Sequence, residues 1–533
     1  MSPPGRPLLL RNGWIFRSAD DPPLAGSLLV DGGRIRALGT DRDVDESAPP
    51  GCPEIDLGKR TVLPGLTDAH LHFEQYALSF DLIDCEVPSL EECLVRVRDG
   101  AMGLGSVEWV RGHGWNDNAW SRPGTRQDLD AASGGRPAFL TAKSLHAAWA
   151  NSEALRIAGV TSGTPDPPDG RIVRQPDGSP SGILLEGAGR LVSACIAPPS
   201  PELLASKMQV AQENLWRMGL TGMHDFDGSR CLQGLQLLRE RGRLGLRVLK
   251  NIPYVDLNAA IQVGLRSGFG DEWIRLGHAK VFADGALGPR TAAMLEAYED
   301  APGNLGIGFL DAEELLERAL RAGEHGWGMT IHAIGDRANH IVLDALAALR
   351  EQEQLRGWIR RRHRIEHLQL LHPADIPRPA ALGVVASMQP LHATSDMEMA
   401  DRGWGPRVRS AYAWRSQLSA GAILAFGSDA PVESPNPFWG IHAAVTRRRA
   451  DGSPGPAGWV PQEKLALSEA LAGYTRGAAF AAGWEESAGF LGPGSWADLI
   501  LLDHDPFRME PDALRDLSPV GVMTGGEFRL RKF

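Results

Sequence analysis

The chain has 533 residues, of which 43% are hydrophobic and 23% are charged, and this ordinary globular composition excludes a protein dominated by disorder. Its 55 basic and 66 acidic residues give a net charge of -11, which argues against a nucleic-acid partner because phosphate binding needs a basic surface. The length fits three or four ordinary domains, or one large α/β barrel with a smaller domain.

The cysteines and the N-terminal segment indicate a reducing compartment. The five cysteines are scattered, odd in number and without a Cys-x-x-Cys pair, so they predict no disulfide framework. The first apolar run is Leu8 to Leu10, and Arg11 and Asn12 end it. Three residues are too few for the apolar region of a signal peptide. No stretch resembles an uninterrupted apolar membrane span. We therefore expect a cytoplasmic protein with no membrane partner.

In chain order, both ends of the sequence predict short strands. Leu8 to Phe16 indicates one strand, and Ser27 to Leu38 indicates a hairpin that turns at Gly32 and Gly33. Three more strand-like runs lie at the other end, at residues 497–503, 520–523 and 527–530. We expect the two ends to form one small sheet domain, since a lone hairpin is marginal in water. Two separate β tails are the alternative.

The middle of the chain alternates helices and strands. A helix from Pro201 to Met218 precedes a strand at 221–225, and a helix about 339–352 precedes one at 365–367. Between them, Asp311 is predicted to cap a helix over 312–322 that Gly323 stops, before a strand at 328–332. Further strand runs lie at 383–387 and 422–429. Repeated units of this kind predict a parallel sheet, and the polar residues that end its strands favour a closed barrel.

Two segments depart from this alternation. Between Phe73 and about Ala197 the repeat lapses over a stretch too long for an ordinary loop. This stretch predicts an inserted subdomain over the barrel mouth, with a plain extension of the core as the alternative. The basic cluster from Arg356 to Arg364 predicts a solvated helix end or loop.

Polar residues at the predicted strand ends carry the chemistry. His70 and His72 follow an apolar run and Pro64-Gly65, and residues i and i+2 of a strand point to the same face, so both imidazoles can reach one ion. Later strands end in four more polar residues: Lys280, His332, His367 and Asp429. Four imidazoles, one carboxylate and a lysine that deprotonates readily when buried predict a pair of divalent-metal sites. These ligands suit Zn, and also Mn, Fe or Ni.

Several motifs also carry a family resemblance, which covers nearly the whole chain. They are Leu63-Pro-Gly-Leu-Thr-Asp-Ala-His-Leu-His72, Phe282-Ala-Asp-Gly-Ala-Leu-Gly288 with Arg290-Thr-Ala292, Ile331-His-Ala-Ile-Gly-Asp-Arg-Ala338, Arg364-Ile-Glu-His367, Ser387-Met-Gln-Pro390, Gly427-Ser-Asp-Ala-Pro431 and Ala497-Asp-Leu499. With this series the chain resembles the amidohydrolase superfamily, in its amidohydrolase-3 branch.

The resemblance implies an α/β fold with a metal-dependent (β/α)8 TIM-like barrel. The barrel would span residues 63–484, with an inserted subdomain at about 73–197. A small β-sandwich domain would be built from both termini, residues 1–62 plus 485–533. A small-molecule substrate and a homodimer are further implications.

The resemblance also implies roles for the strand-end residues. His70, His72 and Asp429 would hold one metal, and His332 with His367 the other. Lys280 would bridge them as an N6-carboxylated side chain, with one or two ions bound and Zn as the favoured metal. Asp429 would take a proton from the metal-bound water and pass it to the leaving amine.

Other polar residues are candidates for substrate contact. His146 lies in a segment, 143–152, that resembles a family segment near the substrate, although Ser144-Leu145 stands where many members have Asp-Gly. His146 is a catalytic candidate that would bind the substrate carbonyl. The alternative is that it caps the following helix. Glu186, Asp284, Arg290 and His392 are candidates to line the pocket, against solvated or structural roles.

These features predict a metal-dependent hydrolase of the C–N amide-type bond of an N-acyl or N-formyl amine, by attack of a metal-bound hydroxide. The alternatives are a deaminase or an ester or lactone hydrolase on the same scaffold, and a non-catalytic scaffold protein. A dinucleotide fingerprint, a P-loop and a Gly-x-Ser-x-Gly elbow are absent from the sequence, so nucleotide cofactors and serine chemistry are not expected.

Overall fold

The computed structural model describes residues 6–105 and 107–533. These residues form two compact units, each considered by itself. The first contains the chain up to Ala77, Pro201–Phe282 and Asp311–Phe533, and the second contains Leu78–Ser200 and Ala283–Leu310. Among the described helices, none is both long enough and apolar enough to cross a membrane.

The strands are, in chain order, β1 (Leu8–Ile15), β2 (Leu24–Asp31), β3 (Arg34–Gly39), β4 (Glu54–Asp56), β5 (Thr61–Pro64), β6 (Leu66–Leu71), β7 (Ile83–Asp84), β8 (Val110–Trp115), β9 (Ala138–Ala142), β10 (Ala147–Ala150), β11 (Gly170–Arg174), β12 (Pro180–Glu186), β13 (Leu220–Asp225), β14 (Arg247–Pro253), β15 (Ile274–Phe282), β16 (Gly328–Ala333), β17 (Arg364–His367), β18 (Val385–Met388), β19 (Leu424–Phe426), β20 (Leu499–Leu502), β21 (Gly521–Thr524) and β22 (Glu527–Arg531).

The α-helices are α1 (Asp41–Asp45), α2 (Phe73–Ser79), α3 (Leu90–Ala101), α4 (Arg126–Ser133), α5 (Ser152–Ile157), α6 (Arg190–Ser193), α7 (Pro201–Arg217), α8 (Ser229–Glu240), α9 (Leu257–Gln262), α10 (Ala312–Glu324), α11 (Asp336–Arg356), α12 (Arg378–Leu382), α13 (Pro390–Trp404), α14 (Trp414–Ser419), α15 (Pro437–Thr446), α16 (Leu467–Ala472) and α17 (Ala478–Ala482).

The two ends of the chain share one sheet, in which the strand order is β22-β21-β20-β5-β1-β2-β3 and β4 pairs with β1. The antiparallel pair β20 and β5 joins them, with Leu499 opposite Pro64. The hairpin between β2 and β3 turns at Gly32 and Gly33, whose φ angles of 57° and 79° suit the type I′ turn that matches strand twist. The prediction that both termini build one sheet is therefore confirmed, while its description as a separate small domain stays a prediction.

The parallel strands of the first unit form a nearly closed barrel in the order β6-β13-β14-β15-β16-β17-β18-β19. Two backbone hydrogen bonds connect the first and last strands at their carboxyl ends. The Asp429 N–H donates to the His70 carbonyl at 2.6 Å, and the His72 N–H donates to the Ala430 carbonyl at 2.9 Å. The predicted barrel is confirmed, and three of its predicted ligands lie where it closes.

Glycines decide where two of the barrel helices end. Asp311 and Glu314 form the reciprocal cap that starts α10 as predicted, but the prediction that Gly323 stops this helix is wrong. A Cβ at Gly323 would lie 3.1 Å from a Leu349 methyl carbon, so this glycine serves close helix packing. The turn comes at Gly326, where φ is 74°. In the same way α11 is longer than predicted and ends at Gly357 in the left-handed region.

The basic cluster before β17 is not a solvated segment throughout, which corrects the sequence-based prediction. Arg364 is fully buried, with 0% of its surface exposed. It is the first residue of β17, and its side chain lies on the same strand face as that of Glu366. The guanidinium of Arg364 therefore lies inside the barrel, whereas Arg356 and Arg360 are exposed.

The second unit has its own sheet, in the order β11-β12-β10-β9-β8-β7. Its core contains a cluster of three buried tryptophans, Trp115, Trp120 and Trp149, with ring centroids 6.3 Å apart in each pair. These rings are core residues of the unit. The unit also includes Ala283–Leu310, a segment that the sequence-based domain boundaries assign to the barrel.

Candidate active site

Buried histidines line up at the carboxyl ends of the barrel strands. His70, His332 and His367 lie at the ends of β6, β16 and β17 and are at most 4% exposed. The ring centroids of His70 and His367 are 5.0 Å apart, and those of His367 and His332 are 4.6 Å apart. His72, just beyond β6, has its ring 5.7 Å from that of His70. The four imidazoles predicted as ligands therefore lie side by side.

Asp429 brings a carboxylate to these imidazoles. Its Oδ1 atom lies 3.4 Å from Nε2 of His70 and also 3.4 Å from Nε2 of His72. The ligand atoms of His70, His367 and Asp429 all lie within 4.8 Å of one another. The φ angles of His367 and Asp429 are 74° and 62°, in a region that is strained for residues other than glycine. Such strain is common at functional sites.

Each of three histidines has its Nδ1 atom held by a buried oxygen. A proton on Nδ1 that is shared with such an acceptor leaves the Nε2 lone pair free to bind a cation. The orientation of all three rings is thereby set in the same way. The pairs are His70 with Glu366 Oε2 at 2.6 Å, His72 with Asp227 Oδ1 at 2.9 Å, and His367 with Gln389 Oε1 at 2.8 Å.

Glu366 is itself held by several donors inside the barrel. The Arg364 guanidinium donates to it at 2.6 and 3.0 Å, and the hydroxyls of Ser387 and Thr330 each donate at 2.5 Å. Burial alone would raise the pKa of Glu366, but the positive charge of Arg364 and the contact with His70 hold that pKa well below its usual range. The carboxylate is therefore charged and fixed in position.

The site carries an excess of negative charge around His72. Burial alone would lower the pKa of this imidazole, but Asp227 and Asp429 raise it to about 10. Burial would likewise raise the pKa of Asp429, but the neighbouring histidines, His70 first, hold it well below its usual range. Two carboxylates beside one imidazole form a negatively charged environment, which favours the binding of a cation.

Lys280 lies on β15 in the same unit and is 5% exposed. Burial lowers the pKa of its ammonium to about 8. Its Nζ atom lies 4.7 Å from the ring centroid of Phe226 and 4.8 Å from that of Phe282. These rings favour the ammonium form, while the lowered pKa makes the neutral amine accessible near pH 8.

The comparison with known families fits this arrangement. The family described as "Amidohydrolase family" matches residues 53–529. The chain belongs to the amidohydrolase family. The resemblance seen in the sequence motifs is thereby confirmed, and this amidohydrolase is a hydrolase.

Individual relatives are similar over almost the whole chain. Protein LONG AFTER FAR-RED 3 of Arabidopsis thaliana is 32% identical, with 93% of this chain and 87% of that protein covered. N-substituted formamide deformylase of Arthrobacter pascens is 30% identical, with 95% of each chain covered. The crystal structure of an uncharacterized metal-dependent hydrolase from Pyrococcus horikoshii is 27% identical and has a TM-score of 0.77, with 95% of this chain and 99% of that chain covered.

The residues of the amidohydrolase fit a divalent cation. The Nε2 atom of His70 is buried and has no hydrogen-bond partner within the described part of the chain, although an orphaned buried nitrogen is costly. Imidazole and carboxylate ligands together suit zinc and several other transition metals. The Nε2 atom of His70 without a partner among the described residues, the Nε2 atom of His72 beside the same Asp429 oxygen, and the negative charges of Asp227 and Asp429 together favour a cation in this cluster.

The other predicted residues are divided between the two units. His392 joins the first unit's cluster, stacked on His367 at 6.0 Å with its Nε2 atom 3.9 Å from Asp429 Oδ2. His146 and Glu186 lie in the second unit, where His146 Nδ1 is 2.7 Å from Glu186 Oε2. Their role in catalysis stays a prediction.

Asp284 and Arg290 also lie in the second unit. The Asp284 carboxylate accepts the Ala293 N–H at 2.8 Å. Arg290 forms a 2.5 Å ion pair with Asp300 and donates to the Gly288 carbonyl at 2.9 Å. A part for either residue in substrate binding stays a prediction.

Sequence reasoning missed the residues that hold the imidazoles, namely Glu366, Asp227 and Gln389. Glu366 and Gln389 lie inside motifs that carry the family resemblance, but a motif alone does not show which side chain either residue contacts. One signal was available for Glu366, because Arg364 and Glu366 alternate on a buried strand and so share a face. Asp227 had a weaker signal, as a second carboxylate two residues beyond the end of a strand.

Proposed function

We propose that this amidohydrolase is a metal-dependent hydrolase that cleaves the C–N bond of an N-acyl or N-formyl amine. The proposal rests on the convergence of His70, His367 and Asp429, whose ligand atoms lie within 4.8 Å of one another. The choice of bond is supported by the similarity to N-substituted formamide deformylase, which extends over 95% of both chains.

The cation ligands of the proposal come from one cluster in the first unit. His70, His72 and Asp429 would hold one ion, and His332 with His367 a second ion. A divalent cation in this position supplies a Lewis acid that polarises a carbonyl group and lowers the pKa of water. Zinc is the favoured metal because imidazole and carboxylate are its usual ligands.

Asp429 is the residue proposed to move the proton. Its Oδ1 atom lies 3.4 Å from the Nε2 atom of His70 and 3.4 Å from that of His72. We expect the carboxylate to take a proton from the attacking water and to return it to the leaving nitrogen, as a general acid and base. The neighbouring histidines, His70 first, hold the pKa of Asp429 well below its usual range, so the carboxylate is ionised at neutral pH.

Lys280 is proposed to be N6-carboxylated. Its neutral amine would add to CO2 with loss of one proton, which gives a carbamate with two anionic oxygens. Burial lowers the pKa of Lys280 to about 8, and this shift increases the fraction of neutral amine that can react. The carbamate would replace a positive charge that opposes cation binding with a negative one.

A substrate panel tests the proposed bond. The purified protein, supplied with zinc, is given N-formyl and N-acyl amines, esters and lactones, and aromatic amines whose deamination releases ammonia. Amine release from the first group, lost at least about 100-fold in Asp429→Asn, supports the proposal. Turnover of esters or release of ammonia alone would assign a different bond, and no turnover of any compound by a metal-loaded protein would favour a non-catalytic scaffold.

A further inference from the structure

We propose that Asp227 is a positioning residue that sets the affinity of the centre for a divalent cation by holding the His72 imidazole. The inference rests on the proposed metal-dependent function. Asp227 lies beyond the end of β13 and is 7% exposed. Its Oδ1 atom is 2.9 Å from Nδ1 of His72, so its role is exerted through that ring.

Both oxygens of Asp227 are used by the segment that carries His72. Besides the imidazole, Oδ1 accepts the side-chain amide of Gln75 at 3.1 Å. Oδ2 accepts the backbone N–H groups of Glu74 at 2.6 Å and Gln75 at 3.2 Å. The carboxylate therefore ties the ring of His72 to the backbone that follows it.

A buried lysine holds the loop of Asp227 in place. The Lys250 ammonium, 1% exposed, lies 2.7 Å from Asp225 Oδ2 and donates to the Asn251 carbonyl at 2.8 Å and to the Asp227 carbonyl. Asp225, Asp227 and Cys231 offer ligand atoms within 4.8 Å of one another. This second cluster already contains the Lys250 cation, so its carboxylates serve to support and not to bind a metal ion.

The geometry gives Asp227 a specific effect on His72. When Nδ1 donates its proton to the carboxylate, the Nε2 atom keeps the lone pair that a cation needs. The negative charge also makes the imidazole a stronger ligand, and loss of such a partner typically costs about 10–100-fold in metal affinity. An imidazole without this partner would be free to carry its proton on Nε2.

The variant Asp227→Asn replaces one of the two acceptor oxygens with a donor. An asparagine has one acceptor oxygen and one amide nitrogen, whereas both positions of Asp227 receive donors. If the oxygen faces the backbone N–H groups of Glu74 and Gln75, the amide nitrogen donates to Nδ1 of His72 and forces the proton onto Nε2. If the oxygen faces His72, two backbone donors lose their acceptor.

A matched control is Asp498→Asn. The Asp498 carboxylate is also largely buried and accepts from the Arg247 guanidinium at 2.9 and 3.1 Å and from the Gly525 N–H at 2.6 Å. It has no contact with the candidate ligands among the described residues. Its loss should therefore lower stability without a direct effect on a bound cation.

The test measures the zinc dissociation constant of the full chain by competition with a chromophoric chelator, with folding checked by circular dichroism. Asp227→Asn is expected to weaken zinc binding about 10–100-fold, with Asp498→Asn within about twofold of the parent. Equal affinity in Asp227→Asn and the parent would overturn the role of Asp227 while the proposed function stands. Equal weakening in both variants would also overturn it, as a general loss of stability.

A second measurement does not require the Asp227→Asn variant to fold. Nitrogen-15 NMR of the histidine-labelled, zinc-loaded parent, with His72 assigned through His72→Gln, reports which ring nitrogen binds metal. A proton on Nδ1 with metal on Nε2 is the expected result, and metal on Nδ1 would overturn the proposal. A parent chain that binds no divalent cation would instead refute the proposed function itself.

Discussion

The Nδ1 atom of His70 lies 2.6 Å from Oε2 of Glu366, and both side chains are buried. The two residues are 296 positions apart in the sequence. They lie on β6 and β17 and meet because both strands face the barrel interior. Glu366 is charged and receives donors from Arg364, Ser387 and Thr330. Hydrogen bonds within the barrel thus set the orientation of the His70 ring.

Glu366→Gln should weaken the binding of a divalent cation by about 10–100-fold. The glutamine replaces one acceptor oxygen with a donor, and the loss of charge makes the His70 imidazole a weaker ligand. Zinc competition with a chelator measures the effect on the folded protein.

The matched control for this prediction is Glu353→Gln. Glu353 is also a buried carboxylate that pairs with a histidine, with Oε1 at 3.0 Å from His363 Nε2, and it accepts from Arg350 at 2.6 Å. This pair does not include a candidate ligand. Unchanged zinc affinity in Glu366→Gln, or equal weakening in both variants, would contradict the role given to Glu366.

Arg364→Met should lower the free energy of unfolding by about 3–5 kcal/mol, because it leaves the buried Glu366 charge without its counter-ion. The guanidinium also donates to the Ala69 carbonyl at 2.7 Å and to His224 Nδ1 at 2.8 Å. Urea unfolding of the metal-free protein measures the change. The double variant Arg364→Met/Glu366→Gln should recover part of the loss, and additivity of the two single effects would refute the coupling.

Lys280→Ala should lose bound metal and activity, and short carboxylic acids such as formate or acetate should restore part of both. The acid would occupy the space of the missing side chain and supply the anionic oxygens of the proposed carbamate. Elemental analysis with and without the acid follows the metal, and the amine-release assay follows activity. Full activity in Lys280→Ala without added acid would mean that Lys280 is an ordinary buried lysine.

Asp429→Asn should keep its metal yet lose turnover by at least about 100-fold, because the amide cannot take a proton from water. The other ligands of the cluster, His70 and His367, remain in place in this variant. Metal content and amine release are measured on the same preparation. Normal turnover in this variant would remove Asp429 from the mechanism.

Most of the barrel could be predicted because each of its parts is local in the sequence. The apolar run before His70 and His72, and the polar residues Lys280, His332, His367 and Asp429 at later strand ends, mark one edge of a parallel sheet. The hairpin at Gly32 and Gly33 was likewise recognisable from a short stretch. In each case the pattern depends only on residues of the same strand or turn, not on contacts between distant parts of the sequence.

The partners that orient these ligands could not be predicted in the same way. Glu366 is 296 residues from His70, and Asp227 is 155 residues from His72. Their contacts depend on the register between strands and on the path of the loop after β13, which residue patterns do not encode. The burial of Arg364 could not be predicted either. A run of basic residues predicts a solvent-exposed segment unless a buried counter-ion is known.

The most direct test is the metal content of the protein purified without chelator, compared with that of His70→Ala and His367→Ala. Elemental analysis should find one or two equivalents of a divalent cation per parent chain, as expected for a one- or two-ion centre, and most of this metal should be lost in both variants. His363→Ala, whose ring pairs with Glu353, should keep its metal. A parent without metal, or variants that retain the full amount, would contradict the assignment of this cluster as the catalytic metal centre.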